Sequence, residues 1–163
     1  MFEKIILHTP HTFVPDDLNA GNWDALAPLF EQVGQQLSAA ADTAQLEQAI
    51  LNWEELSAAI AEEGSKRYIA MTCQTDDKTA ERAYLDFVET IEPQVKPHNF
   101  RLAKALADHP HRDGLPVERY EVFTRDTALE VELFRPENVP LETEATKLGQ
   151  QYQKLIGGLA VQF

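Results

Sequence analysis

The feature that most constrains the fold is the spacing of apolar residues, which recur every three or four positions along most of the chain. This spacing places apolar side chains on one face of an α-helix. Only seven of the 163 residues are glycine, and long stretches are rich in the good helix formers Ala, Leu, Glu and Gln. The sequence therefore predicts an all-α fold. The clearest stripe comprises Leu46, Ile50, Trp53, Leu56 and Ile60.

Two helices are expected in the first half of the chain. The first runs from Trp23 to about Ala40. The second begins after an N-cap at Asp42, with Gln45 three residues on as a capping-box partner, and continues toward Thr72. The face that the first helix is expected to bury comprises Leu26, Leu29, Phe30, Val33 and Leu37.

Three further helices are expected in the second half. The third follows an N-cap at Asp76 or Asp77, and it should kink or break at Pro93 and Pro97 because proline has no amide hydrogen to donate. The fourth opens with Pro116 at its first position. Its expected inward face comprises Tyr120, Phe123, Thr127, Val131 and Phe134. The expected inward face of the fifth comprises Leu141, Ala145, Leu148, Tyr152 and Leu155.

The C-terminal residues change to strand periodicity. After Gly157 and Gly158, the apolar residues Leu159, Val161 and Phe163 alternate with other residues, which is typical of a β-strand. A strand needs a partner strand, and none follows in the sequence, so we expect the chain to be a piece of a longer protein. The predicted architecture is one domain over residues 1–163, an antiparallel, bundle-like array of about five helices with a short C-terminal strand.

Charge and composition exclude several classes of function. The formal net charge of −13 argues against a nucleic-acid partner, because phosphate binding needs a basic face. No apolar run approaches the ~20 residues that span a bilayer, so we expect no membrane partner. With a single cysteine, Cys73, and no secretory signal at the N-terminus, the sequence favours a soluble cytoplasmic protein.

A search for catalytic or metal-binding motifs identifies no specific site. The sequence contains no HExxH, GxGxxG, P-loop or GxSxG motif. The pairs His8 with His11 and His109 with His111 lack further ligands at familiar spacings, so surface positions are expected, and a metal site is the weaker interpretation. Cys73 is expected to be a small buried residue. We assign no catalytic and no metal-binding residue, and the substrate-binding residues stay unknown.

Several segments together resemble one peptidase family. Their order and spacing match over most of the chain from Asn22 onward, and the chain resembles the N-terminal half of the oligoendopeptidase F family, zinc metallopeptidases related to thimet oligopeptidase. The segments are Arg67, the run from Tyr68 to Asp77, Ile91-Glu92-Pro93, Glu137 to Leu141 and Tyr152 to Gly157.

The resemblance implies a parent enzyme of several hundred residues that cleaves short peptides. Its zinc is held by the two His of HExxH and a later Glu, and the Glu of the motif acts as general base on zinc-bound water. The motif lies in the C-terminal half, so no zinc ligand or base is carried over to this sequence, and we expect no cofactor here. The implied partners are the catalytic half and an oligopeptide substrate, with self-association of the fragment through uncovered faces. The alternative is a free-standing helical module that binds peptides or proteins.

Overall fold

The computed structural model describes residues 12–159 and shows only helices and connecting turns there. The predicted all-α class is confirmed. Within the described range there are six α-helices and one 3-10 turn, and no strand. The elements are α1 (Trp23–Ala39), α2 (Thr43–Cys73), α3 (Lys78–Thr90), α4 (Glu92–Ala107), the 3-10 turn Arg112–Gly114, α5 (Val117–Leu133) and α6 (Asn138–Gly157).

Side-chain caps fix the starts of the first three helices, whereas the starts of α4, α5 and α6 have none. The Asp42 carboxylate accepts the Gln45 amide hydrogen at 2.8 Å, and the Gln45 side chain accepts from the amide of Ala41 at 3.1 Å. Asp77 caps α3 and Asn22 caps α1 in the same way. Each cap satisfies amide groups that have no partner within the helix. The predicted caps at Asp42 and Asp77 are confirmed.

The expected interruption at the prolines is a break between two helices. α3 ends at Thr90 and α4 begins at Glu92, with the buried Ile91 between them. Pro93 is the second residue of α4, where a helix amide needs no intrahelical acceptor. Pro97, by contrast, lies inside α4. The array consequently has six helices where the periodicity indicated about five.

The core lies among α1, α2 and α4, with α3 and α5 packed around it. α1 and α2 are antiparallel: Asn52 donates to Gln36 at 2.8 Å near one end of the pair, and Gly21 lies against Arg67 near the other. The predicted stripe of α2 is entirely buried, and that of α1 is buried except for the half-buried Leu29. The largest fully buried side chains are Leu26, Val33, Leu37, Leu46, Ile50, Leu56, Val88 and Leu106.

α5 contacts α2 through a buried tyrosine. The Tyr120 hydroxyl donates to the Glu47 carboxylate at 2.8 Å, and Arg119 donates to the same oxygen. Burial, followed by the hydrogen bond to Glu47, raises the pKa of Tyr120 to about 12. Thr127 is also buried on this face, and the three other predicted residues are half-buried. The predicted inward face of this helix is confirmed.

The predictions for Cys73 and for the C-terminal strand differ from the structure or concern residues that the structure does not describe. Cys73 is exposed, not buried, because it ends α2 in a stretch where most side chains are exposed. The predicted C-terminal strand is not seen: Leu159 belongs to no strand, and residues 160–163 lie outside the described range, as do His8 and His11.

The segment that precedes α1 is tethered to α2 by one carboxylate. Glu55 accepts the amide hydrogens of Thr12, Phe13 and Val14 at 2.8–3.0 Å, and the Thr12 hydroxyl donates to its second oxygen. Burial acts to raise the pKa of Glu55, but these hydrogen bonds together lower the pKa below its usual value. The carboxylate form is therefore the one that holds the segment.

This tether should weaken in acid. Because the folded-state pKa of Glu55 is lowered, its contribution is complete above the unfolded-state pKa of about 4.3 and is lost as pH falls through the folded-state value. As the pH falls through the folded-state pKa of Glu55, we expect the amides of Phe13 and Val14 to lose hydrogen-exchange protection before the amides of the α2 core do. Glu55→Gln should show the same loss at neutral pH. Protection that is unchanged in this variant would contradict the assignment.

Candidate functional site

The most prominent surface feature is an apolar stripe on α6. None of the residues Asn138–Gly157 is buried, so the predicted inward face of the fifth helix is wrong for this chain. An amphipathic pattern shows that a face needs a partner, and the pattern does not say whether the partner lies in the same chain. The stripe comprises four residues of α6 and Leu159, which follows the end of the helix, and all five are 62–67% exposed: Leu141, Leu148, Tyr152, Leu155 and Leu159.

The spacing within this stripe is that of a helix-packing seam. Leu141, Leu148 and Leu155 are seven residues apart, and Tyr152 and Leu159 follow the last two by four. Alternating steps of four and three along a helix form the a and d positions of a heptad, which pack against another helix. α5 carries exposed apolar residues of its own: Val117, Val122, Leu129 and Leu133.

The opposite side of α6 is held to the rest of the chain by charge pairs. Three lysine–glutamate contacts connect α6 with α3 and α4, one near each end and one between them. Pairs that are partly open to solvent contribute little free energy individually. With no buried side chain in the helix, α6 is the most weakly attached of the six. The pairs are Lys96–Glu142 (2.5 Å), Lys147–Glu89 (3.1 Å) and Lys154–Glu81 (2.6 Å).

Salt should loosen α6 selectively. Raising NaCl from about 0.1 to about 1 M shortens the Debye length from about 10 to about 3 Å. We expect amide exchange in α6 to accelerate, while exchange in residues 43–60 of α2 stays unchanged. Lys154→Gln should reproduce the effect at low salt in the last turns of α6, since Lys154 is the first cause of the lowered pKa of Glu81. Equal exchange of α6 at both salt concentrations would contradict this view of its attachment.

A second feature is a groove of about 480 Å³ between α2, α3 and α4. The buried Ile60 and Phe87 contribute to its apolar lining. The Tyr68 and Tyr84 rings also line it and meet edge to face, with centroids 5.5 Å apart. Glu92 is its one acidic lining residue. The volume falls within the usual range for small-ligand sites.

The groove shifts the pKa of two of its side chains. Burial raises the pKa of Glu92, and the charge of Lys96 opposes this shift in part. Burial also raises the pKa of Tyr84, followed by the charge of Glu92 and the neighbouring Tyr68. The carboxylate of Glu92 is thus partly desolvated beside two aromatic rings.

Arg67 packs beside this groove. Its guanidinium donates to Glu63 at 2.7 Å and to the backbone carbonyl of Ala83 on α3 at 2.9 Å. The guanidinium carbon lies 5.4 Å from the centroid of the Phe87 ring. A Cβ at Gly21 would lie 2.0 Å from a guanidinium nitrogen. Arg67 therefore joins three segments of the chain and has a structural role.

Comparison with known protein families gives a match over most of the chain. The family described as Peptidase M3 N-terminal domain matches residues 16–134. The chain belongs to this family. No curated protein and no solved structure matches the chain significantly. The match to the M3 domain ends at Phe134, before α6 begins, so the weakly attached helix lies beyond the matched residues.

The M3 relationship makes zinc the metal to test for, and the described residues do not fit a zinc site. Within residues 12–159 no three His, Cys, Asp or Glu side chains come together as a metal-binding group. The rings of His109 and His111 lie 5.6 Å apart, and the Nδ1 atom of His109 accepts the His111 amide hydrogen at 3.2 Å. These two histidines occupy a turn, with no third ligand beside them. No step of zinc chemistry is assigned to them.

The sequence alone does not predict the groove of the M3 domain. The helical spacing of apolar residues between positions 80 and 95 includes Tyr84, and Glu92 belongs to the segment Ile91-Glu92-Pro93, but no spacing joins either residue to Tyr68. The sequence signal that could have indicated the groove is Tyr68 itself, an aromatic residue of α2 outside the buried stripe.

None of the helices over residues 12–159 is both long and apolar enough to span a membrane.

Proposed function

We propose that this chain is the N-terminal, non-catalytic part of a cytoplasmic, oligoendopeptidase F-like zinc metalloendopeptidase that cleaves short peptides. The observation that carries the proposal is the uncovered heptad stripe of α6, which directly follows a Peptidase M3 N-terminal domain. A polypeptide that exposes four large apolar side chains along one helix, and Leu159 just after its end, needs a partner surface.

In this proposal the partner surface belongs to the catalytic half of the parent enzyme. That half supplies the zinc ligands and the general base, and the 163-residue chain supplies a helical wall of the peptide channel. The family match supports the peptidase assignment, and the absence of a metal-ligand cluster in residues 12–159 supports placing the chemistry elsewhere. The single cysteine supports the cytoplasmic location.

The test begins with the coding sequence beyond Phe163. We expect an open frame that leads to an HExxH motif. The encoded downstream half should bind the 163-residue chain, and the mixture should hydrolyse a fluorogenic oligopeptide in a zinc-dependent manner, whereas the chain alone should not. A variant with the HExxH Glu changed to Gln should bind the chain and stay inactive. Cleavage by the 163-residue chain alone, at an enzyme-like rate, would contradict the proposal.

The groove favours a second candidate, a free-standing helical module that binds peptides. Aromatic and apolar side chains and one carboxylate of the described residues line it. The two candidates predict different coding sequences after Phe163. A stop codon directly after Phe163, together with peptide binding by the 163-residue chain, would favour the module over the peptidase fragment.

A further inference from the structure

The groove between α2, α3 and α4 combines an apolar lining with one acidic group. No lysine, arginine or histidine is among its lining residues in the described part of the chain. Its aliphatic part includes Ile60 from α2 and Val95 from α4, and its aromatic part is the Tyr68–Tyr84 pair. Glu92 stands at the first turn of α4, beside both parts.

The charge of Glu92 forms no ion pair within residues 12–159. Lys96, one helical turn further on, extends toward α6 and pairs with Glu142 at 2.5 Å. A partly desolvated carboxylate without a paired counter-charge is unfavourable. The net charge of −13 adds a negative field around the groove, which attracts cations and repels anions.

The two tyrosines favour a guanidinium over an ammonium as the cation that the groove would bind. A guanidinium is planar and weakly hydrated, so it stacks on aromatic rings and also accepts burial more readily than an ammonium. It can donate two parallel hydrogen bonds to one carboxylate. The three-carbon stem of an arginine side chain would lie along the aliphatic lining.

We propose that this groove binds the arginine side chain of a peptide, with the guanidinium paired to Glu92 and packed against the Tyr68–Tyr84 pair. The proposal does not depend on the proposed peptidase function. It requires no zinc and no residue outside the described range, and it applies to the 163-residue chain alone.

The test compares three tripeptides that differ in one side chain. Acetyl-Ala-Arg-Ala-amide is titrated into the chain and followed by amide chemical shifts, alongside the isosteric but uncharged citrulline peptide and the lysine peptide. We expect the arginine peptide to bind at least ten-fold more tightly than the citrulline peptide and also more tightly than the lysine peptide. The shift changes should concentrate in residues 57–69 and 84–99. Equal affinity for arginine and citrulline, or changes confined to other segments, would overturn the proposal.

Protein variants separate the charge from the rings. Glu92→Gln keeps the shape of the side chain and should reduce arginine-peptide affinity to that of the citrulline peptide. The matched control, Glu121→Gln, removes a carboxylate from an exposed position on α5 and should change nothing. Tyr68→Ala should weaken binding by about two- to five-fold, the usual size of an exposed cation–π contact, and Tyr68→Phe should retain it. Unchanged arginine affinity in Glu92→Gln would refute the assignment.

Discussion

Replacing Leu148 and Leu155 together by Gln is expected to abolish self-association of the chain and to leave its unfolding free energy within about 0.5 kcal/mol of the parent value. Both side chains are about two-thirds exposed, so the fold gains little from them. The same heptad stripe offers an apolar seam to a second molecule when the proposed partner half is absent. By contrast, Leu46→Ala removes a fully buried side chain and should cost about 2–5 kcal/mol.

Sedimentation over a range of protein concentrations measures the first effect, and urea unfolding measures the second. The matched control is Leu51→Gln, which changes an exposed leucine of α2 that lies off the stripe and should leave self-association intact. A parent chain that remains monomeric at every concentration tested would contradict the prediction. So would a double variant that associates as strongly as the parent.

Arg67→Ala should destabilise the domain by about 2–3 kcal/mol, a large effect for the loss of a charged side chain. The Arg67–Glu63 pair is about three-quarters buried. Without the guanidinium, the Ala83 carbonyl loses its side-chain donor, and the space beside Phe87 and Gly21 is left unfilled. Urea unfolding monitored by circular dichroism gives the free energy directly.

The neighbouring residue provides a matched control for Arg67. Lys66 forms an i, i+4 pair with Glu62 that resembles the Arg67–Glu63 pair in sequence but lies largely in solvent. Lys66→Ala should produce no measurable change in the unfolding midpoint. Arg67→Lys keeps the charge but loses the planar guanidinium group. Its loss of unfolding free energy should therefore fall between those of Arg67→Ala and Lys66→Ala. Equal losses at Arg67 and Lys66 would refute the structural role of Arg67.

Local signals in the sequence predicted the helices because they act within a few residues. Asp42 and Asp77 cap helices through their own backbone neighbours, and Pro93, which has no amide hydrogen to donate, lies at the start of α4 just after the break between α3 and α4. The stripe from Leu46 to Ile60 is buried as predicted, since other helices of the same chain, chiefly α1 and α3, pack against α2.

Tertiary features could not be predicted from the same signals. The pattern on α6 is as regular as that on α2, yet Leu148 is exposed and Leu46 is not, because the difference lies in which helices pack nearby. Cys73 is exposed for the same reason. The groove unites Tyr68, Tyr84 and Glu92 from three helices, and no spacing in the sequence indicates that they meet. The family, in contrast, was recognisable from segment order alone.

The positions of the two tryptophans decide what spectroscopy can see in this protein. Trp23 packs on Phe30 and His98, and the Trp53 indole donates to Asn99 at 3.0 Å. Selectively excited tryptophan fluorescence therefore follows the junction of α1, α2 and α4, whereas α6 contains a tyrosine, Tyr152, but no tryptophan. Far-ultraviolet ellipticity counts every helix. A gap between the two melting curves would isolate the fraying of the last helix, and single-probe unfolding by fluorescence would miss it.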